Sequence, residues 1–236
     1  MKNKMKTYNK EKAIISLTSW KARINMVHKV IANLIGKCPG FHIVLCLSEE
    51  EFPNKENDLP QNLLRFVNSN LIELLWVQKN YKSFKKVLFT MEKYPDVPVI
   101  SADDDCLYTF NYAEKLYQEW KKDKNYIISM SSSFGSGFGI LFQYKFFKNF
   151  KEYLTKEIID TNHDDLFYRF LMAKNNVKKY KFFFKRKEID KKCVFIDEKH
   201  GISSSIKEEK DILKFNKIFK LNLNKAYFSH KRQHKI

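Results

Sequence analysis

The sequence predicts an α/β protein whose mostly parallel sheet is flanked by helices, and two patterns carry this prediction. Short apolar runs bounded by polar residues, typical of buried strands, alternate with longer segments whose apolar residues recur at helical spacing. Strands that alternate with helices favour parallel pairing, because a helical crossover returns the chain to the same end of the sheet. At 236 residues the chain is long enough to bury a core without disulfide bonds or a structural metal.

The elements follow in order along the chain. Four apolar runs are predicted strands: residues 13–17, 41–47, 71–77 and 98–102. Three segments between them have helical spacing: residues 22–35, 62–69 and 84–93. Two further apolar runs, residues 126–130 and 140–142, enclose a glycine-rich segment, and residues 166–173 form an amphipathic helix with Thr161 or Asn162 as its predicted N-cap. We expect residues 1–180 to form the main domain and residues 181–236 to be a basic segment that packs on it or extends it.

The composition limits the class of protein. Lysine and arginine number 44 against 27 acidic residues, so the formal net charge is +17. This charge implies an anionic partner, which could be a nucleic acid, a phosphorylated small molecule or an acidic membrane surface. An apolar content of 44% excludes a disordered chain. No apolar run fits a signal peptide or a membrane span, so we expect a cytoplasmic protein, soluble or peripheral on the inner face of the membrane.

The cysteines carry no recognisable site. The chain has four, Cys38, Cys46, Cys106 and Cys193, and no Cys-x-x-Cys pair. A zinc ribbon and a dithiol redox motif are therefore excluded. We expect four free thiols, as in a reducing compartment.

Three consecutive aspartates follow the fourth predicted strand. Asp103, Asp104 and Asp105 come directly after residues 98–102, at the edge where α/β sheets bind ligands. In an extended chain Asp103 and Asp105 would share one face and Asp104 would point away. Two carboxylates on one face repel each other unless a cation joins them, and Mg²⁺ or Mn²⁺ suits oxygen ligands of this kind. The alternative is a solvated acidic turn.

Two later segments are candidates for the same site. Residues 131–139 hold three of the six glycines and form either a flexible hairpin connection or a loop that lines a pocket. Asp164 and Asp165 lie in the first turn of the predicted helix, where the helix dipole favours negative charge. The functional alternative is that one of them projects into the cleft as a general base.

The last third of the chain is basic and aromatic. Residues 178–187 interleave lysines with phenylalanines. They fit a strand with its lysines facing outward, a surface that lies on anionic lipid, or a grip on nucleic acid. His230, in a basic tail, is either solvated or a late metal ligand.

Taken together, four stretches resemble a family-2-like group of bacterial nucleotide-sugar glycosyltransferases of the GT-A fold, from surface-polysaccharide clusters. They are residues 14–24, 81–86, 100–108 and 164–176, in the same order and spacing as in that group. The resemblance spans about residues 13 to 180. It implies transfer of a sugar from a nucleoside diphosphate sugar to a saccharide or lipid-linked acceptor, with Mn²⁺ or Mg²⁺ as cofactor.

The resemblance also assigns roles by position. Thr18 and Arg23 would line the nucleotide site, and Lys85 or Lys86 would approach the diphosphate. Asp103 and Asp105 would hold the metal, joined by His230, while Asp104 takes part in nucleotide contacts. Asp165, or Asp164, would be the general base of an inverting displacement. The chain departs from the group after Gly139, where residues 142–144 are Phe-Gln-Tyr instead of an aromatic residue with prolines.

Other classes compete with this interpretation. The charge favours a nucleic-acid- or membrane-binding protein without catalysis, although the sequence has no helix-turn-helix, zinc-finger or RNA-binding sheet motif, so no specific nucleic acid is expected. A nucleotidyltransferase would need a glycine- and arginine-rich loop after the first strand, where residues 18–21 are Thr-Ser-Trp-Lys. A catalytically inactive relative of the glycosyltransferases is a further alternative.

Overall fold

The computed structural model describes residues 12–132, 136–177 and 180–197, together with residues 213, 215, 217, 218 and 233–235. The strands are β1 (Ile14–Thr18), β2 (His42–Ser48), β3 (Glu73–Val77), β4 (Val99–Ser101), β5 (Cys106–Tyr108), β6 (Ile127–Ser131), β7 (Ile140–Phe142), β8 (Tyr180–Phe184), β9 (Cys193–Phe195) and β10 (Gln233–Lys235). The α-helices are α1 (Val27–Lys37), α2 (Gln61–Asn68), α3 (Leu88–Lys93), α4 (Tyr112–Lys122), α5 (Phe150–Tyr153), α6 (Lys156–Ile159), α7 (Asp164–Lys174) and α8 (Arg186–Ile189).

The main sheet has eight strands in the order β10-β8-β6-β7-β4-β1-β2-β3. Every neighbouring pair is parallel except those of β7, which is antiparallel to both β4 and β6. Strands β5 and β9 form a separate antiparallel pair. The α/β class with a mostly parallel sheet, expected from the sequence, is confirmed.

Helices cover both faces of the sheet because both faces are apolar. Side chains alternate along β1, so Ile15 packs into one buried cluster with residues of α1, α2 and α4, while Ile14 packs into another with α3 and α7. Buried strands of this kind are apolar on both faces, which is why they read as continuous apolar runs in the sequence.

The basic and aromatic segment is in part a strand of this sheet. Strand β8 lies between β6 and β10, and its Tyr180, Phe182 and Phe183 are buried. The ammonium of Lys181 lies 2.9 Å from Glu119. The strand alternative for residues 180–184 is therefore correct. The proposed division at residue 180 stays a prediction, and β8 begins at that residue.

Three helix starts differ from the prediction, and one is that of α3, which begins at Leu88 instead of residue 84 because residues 82–86 form a 3₁₀ segment. The first helix begins at Val27 instead of residue 22, because residues 21–26 form turns in which the amides of Arg23 and Ile24 bond to the carbonyl of Trp20. The N-cap of α7 is His163, so the predicted cap at Thr161 or Asn162 is wrong. The hydroxyl of Thr161 donates instead to the carbonyl of Ile158, at 2.7 Å.

The expectation of four free thiols is wrong for one pair. Cys106 on β5 and Cys193 on β9 form a disulfide, with their Cα atoms 5.8 Å apart. Their spacing of 87 residues gave no sign of it, because only the pairing of β5 with β9 brings them together. Cys38 and Cys46 are free and buried, and burial raises the pKa of Cys46 to about 12. In the described part of the chain, no helix combines the length and apolarity needed to cross a membrane.

Candidate functional site

Acidic side chains gather around two buried cations where β1 and β4 end. We call this group the acidic cluster. The cations are Arg23 and Lys86, and the carboxylates are those of Asp103, Asp104, Asp105, Asp164, Asp165 and Asp197. Six carboxylates thus contact these two cations or act on them through their charge, although the formal net charge of the chain is +17.

Arg23 binds three carboxylates of the cluster. Its Nη1 lies 2.9 Å from both Asp104 Oδ1 and Asp105 Oδ2, and its Nε donates to Asp197 Oδ2 at 2.8 Å. The side chain is buried, and the turn after β1 places it there. Ser19 adds a hydroxyl donor to Asp104 Oδ2, at 2.6 Å. A guanidinium suits this position because its donors form a fixed planar fork that serves several carboxylates.

Lys86 binds two further carboxylates of the cluster. It ends the 3₁₀ segment Lys82–Lys86, and its ammonium bonds to Asp103 Oδ1 and lies 3.3 Å from Asp164 Oδ2. The hydroxyl of Ser16 on β1 donates to the carbonyl of Lys86 and so fixes this backbone beside the sheet. The ammonium thus bridges the aspartate triplet and the first turn of α7.

The triplet does not have the expected extended geometry. Strand β4 ends at Ser101, and Asp104 and Asp105 lie in a turn. Asp104 therefore does not point away from its neighbours, because Arg23 binds it together with Asp105. The strict alternation of a strand no longer applies once the backbone turns.

The aspartates of the triplet repel one another, and the pKa values of Asp104 and Asp105 are raised. Burial raises the pKa of Asp105 to about 6, and the charge of Asp103 adds to the rise more than Arg23 offsets it. Burial also raises the pKa of Asp104 above its ordinary value, against the lowering effect of Ser19 and Arg23. Bringing another cation to this cluster would relieve the repulsion.

The glycine-rich segment lies directly against the triplet. A Cβ built at Gly137 would stand 2.7 Å from Cγ of Asp103, inside any real contact distance. The hydroxyl of Tyr108 donates to the carbonyl of Gly137 at 2.7 Å, and it accepts from the amide of Asp103 at 3.2 Å. Only glycine fits here because a side chain would displace the carboxylate.

The second acidic pair splits between two environments. Asp164 is buried against Lys86, whereas Asp165 is half-buried and acts on the same ammonium through its charge. The two residues thus lie on the cluster side of α7. Both remain candidates for the general base.

Two residues expected at the site, Thr18 and Lys85, have described partners outside the acidic cluster. The hydroxyl of Thr18 donates to the carbonyl of Cys46 at 2.7 Å, inside the sheet edge. The ammonium of Lys85 is buried 3.3 Å from Glu51 Oε2 and from Asn80 Oδ1. These contacts tie together the loops that follow β2 and β3. His230, the third expected metal ligand, lies outside the described residues.

The donor set fits a divalent cation that shares its coordination with substrate. Within the described ranges, no three His, Cys, Asp or Glu side chains converge as a complete metal cage. Mg²⁺ and Mn²⁺ do not need one, since they commonly take one or two carboxylates, several waters and substrate phosphate oxygens. Asp103 and Asp105 offer that number of carboxylates, and their mutual repulsion favours a cation.

Two clefts lie in the described part of the chain. One, of about 530 Å³, lies between the turn after β1 and the loop after β2, and it is lined by Lys21, Ile24, Asn25, Phe52, Pro53, Asn54 and Asp58. The other, of about 440 Å³, is lined on one side by residues 79–82 and on the other by α6. The first cleft shares its wall with the segment that carries Arg23.

Sequence reasoning missed three members of the site. Asp197 follows β9 and no motif surrounds it, so only the fold reveals its contact with Arg23. Ser19 directly follows β1, and its place at a strand end was the available signal. Gly137 lay inside the glycine-rich segment, but its contact with Asp103 depends on β7 returning beside β4.

No family model matches the chain, and no curated protein matches it. Among solved structures the chain is similar to a crystal structure of GalNAc-T7 with UDP, GalNAc and Mn²⁺, at 13% identity and a TM-score of 0.41. The match covers 51% of this chain, which spans 23% of the other. The chemistry of the site rests on the side chains described above.

Proposed function

We propose that the protein is a metal-dependent glycosyltransferase that moves a sugar from a nucleoside diphosphate sugar to a saccharide or lipid-linked acceptor. The observation that carries this proposal is the acidic cluster itself, with six carboxylates around two buried cations at the ligand-binding edge of a parallel sheet. Neighbouring carboxylates favour a bound cation, and a cation there can receive an anionic substrate.

Asp103 and Asp105 would hold the diphosphate of the sugar donor through Mn²⁺ or Mg²⁺. A bound divalent cation would neutralise the diphosphate and stabilise the charge that grows on it as the glycosidic bond breaks. Asp104, fixed by Ser19 and Arg23, keeps the turn in shape beneath the two ligands. The cleft of about 530 Å³ beside Arg23 is the proposed place of the nucleoside.

The first turn of α7 would supply the general base for the acceptor hydroxyl. One carboxylate, of Asp164 or Asp165, takes the proton from the acceptor hydroxyl as its oxygen attacks the anomeric carbon. The new C–O bond forms while the bond to the diphosphate breaks, and the diphosphate leaves with the electron pair. A direct displacement of this kind inverts the anomeric centre, following the same carboxylate logic as inverting glycoside hydrolysis.

The setting of the reaction is part of the proposal. We propose a role in surface glycan synthesis, on the cytoplasmic side, with the basic surface attracted to anionic lipid. Because Cys106 and Cys193 form a disulfide, the cysteines no longer favour a reducing compartment. The proposed cytoplasmic placement therefore rests on the net charge and on the chemistry of a lipid-linked acceptor.

Thermal unfolding with a panel of nucleoside diphosphates and their sugars tests the function. A ligand at about 100 times its dissociation constant should add roughly 2.7 kcal/mol to the unfolding free energy. We expect one diphosphate to stabilise the protein with Mn²⁺ or Mg²⁺ and not with chelator. Asp105→Asn should abolish the shift. Asp96→Asn, at an exposed position before β4 at the opposite edge, should retain it.

Two outcomes would contradict the proposal. If no nucleotide stabilises the wild type under any metal condition, the donor site is absent. Retention by heparin or anionic vesicles would then favour a binding protein without catalysis. If Asp105→Asn keeps the full metal-dependent shift, the nucleotide binds somewhere other than the acidic cluster.

A further inference from the structure

Lys86 bonds to one oxygen of Asp103, a proposed ligand of the divalent cation. Its ammonium bonds to Asp103 Oδ1, with Asp164 Oδ2 at 3.3 Å, and its side chain is almost fully buried. A lysine ammonium is charged at neutral pH, so Lys86 places a positive charge between the aspartate triplet and α7.

Asp103 has little freedom to leave this contact. Its carboxylate is packed against the backbone of Gly137, where no Cβ would fit, and its amide bonds to the hydroxyl of Tyr108. Lys86 carries its ammonium on a four-carbon stem, so rotation of that stem is the route by which the ammonium can change partners. An ammonium and a divalent cation on the same carboxylate repel each other, so each weakens the binding of the other.

We propose that Lys86 is the resident counter-ion of the acidic cluster, which a divalent cation displaces from Asp103 so that the ammonium becomes available to the donor's diphosphate. The inference deepens the proposed function and rests on it. Lys86 is then a positioning residue that couples the two ligands. The cation binds poorly alone because it must dislodge the ammonium, and the diphosphate offers the ammonium a new partner.

The neighbouring lysine shows that burial alone does not create this arrangement. Lys85 has one carboxylate, Glu51, and two neutral oxygen acceptors, from Asn80 and from the carbonyl of Lys82. Neither Asp103 nor Asp164 is among the described partners of Lys85. The preceding residue of the same segment thus lies outside the cluster, and Lys86 alone of the two bridges the triplet to α7.

Calorimetric titration with Mn²⁺, without nucleotide, tests the inference on Lys86→Met. Removal of the competing charge should tighten Mn²⁺ binding about tenfold or more, given the strength of unit charges at contact distance. Lys86→Arg, which keeps the charge, should not tighten it. Lys29→Met, which removes one exposed charge on α1, should stay within about twofold of wild type. With saturating Mn²⁺, Lys86→Met should bind uridine diphosphate about tenfold more weakly than wild type.

The possible results separate the two claims. Wild type that binds Mn²⁺, with Lys86→Met binding it equally or less well, overturns the inference and leaves the proposed function standing. Absence of Mn²⁺ binding in every variant, even with uridine diphosphate present, overturns both. If Lys86→Met lacks the circular dichroism of the native fold, Lys86→Gln replaces it, because the amide can still bond to Asp103 and Asp164 without a charge.

Discussion

Carboxylates have opposite surroundings at the two edges of the main sheet, the amino edge and the carboxyl edge. These are the edges where the amino ends and the carboxyl ends of the parallel strands lie. At the amino edge, Glu73 begins β3 and accepts bonds from His42 at 2.7 Å, Lys93 at 2.8 Å and Tyr94 at 2.7 Å. Burial alone would raise the pKa of Glu73, but these three partners lower it to about 2. At the carboxyl edge, burial and Asp103 raise the pKa of Asp105 to about 6, although Arg23 lies 2.9 Å away.

The difference is one of balance between charges. Glu73 is a single carboxylate with three donors, and its ionised form stabilises the fold. Asp105 shares one guanidinium with Asp104 and Asp197, and it faces Asp103 as well. The raised pKa of Asp105 makes the carboxyl edge the candidate site, since perturbed groups concentrate where ligands bind.

The largest effect is expected from a substitution at Gly137, which lies against Asp103. Gly137→Ala places a Cβ against the carboxylate of Asp103, and overpacking of this kind costs about 1–3 kcal/mol of unfolding free energy. Because the strain falls on Asp103, Mn²⁺ binding should weaken as well. Urea denaturation and Mn²⁺ titration measure the two effects.

Gly36 supplies the matched control. It lies in α1, and nothing stands within 4 Å of a Cβ built on it. Gly36→Ala should stabilise the protein by about 0.5–1 kcal/mol and leave Mn²⁺ binding unchanged. Equal effects of the two substitutions would show that Gly137 does not hold Asp103 in place.

A smaller effect is expected at the amino edge. Since the pKa of Glu73 is lowered in the fold, its contribution is present above about pH 4.5 and is lost as the pH falls toward 2. Partial exposure screens the interaction, so Glu73→Gln should cost about 1–2 kcal/mol at pH 7 and little at pH 2. Urea denaturation at both pH values measures this difference, with exposed Glu152→Gln as control. A constant cost at both pH values would contradict the charge argument.

Much of the fold could be predicted from the sequence because buried strands leave a simple apolar pattern. The four predicted strands of the first half coincide with β1 to β4 within two residues at each end. The site was less predictable, because its geometry comes from turns. An extended chain was assumed for the aspartate triplet, whereas Asp104 and Asp105 lie in a turn that directs both carboxylates to Arg23.

Long-range contacts account for what the sequence could not provide. Adjacent Lys85 and Lys86 are the same residue type in one 3₁₀ segment, and only the packed structure separates the partner of Glu51 from the partner of Asp103. Asp197 reaches Arg23 because β9 pairs with β5, and no local pattern encodes that pairing. The disulfide between Cys106 and Cys193 depends on the same pair of strands.

The most direct test of the excess of negative charge is the stability of Asp105→Asn at pH 7, with chelator and with Mn²⁺. A carboxyl whose pKa is raised in the fold destabilises the native state as the pH rises above its ordinary pKa, and the effect is complete above the raised pKa. The neutral amide should therefore make the metal-free protein more stable than wild type, by about 1–3 kcal/mol. Mn²⁺ should stabilise wild type and leave Asp105→Asn unchanged. A variant that is less stable than wild type in chelator would contradict the account, because Asp105 would then be a satisfied structural carboxylate like Glu73.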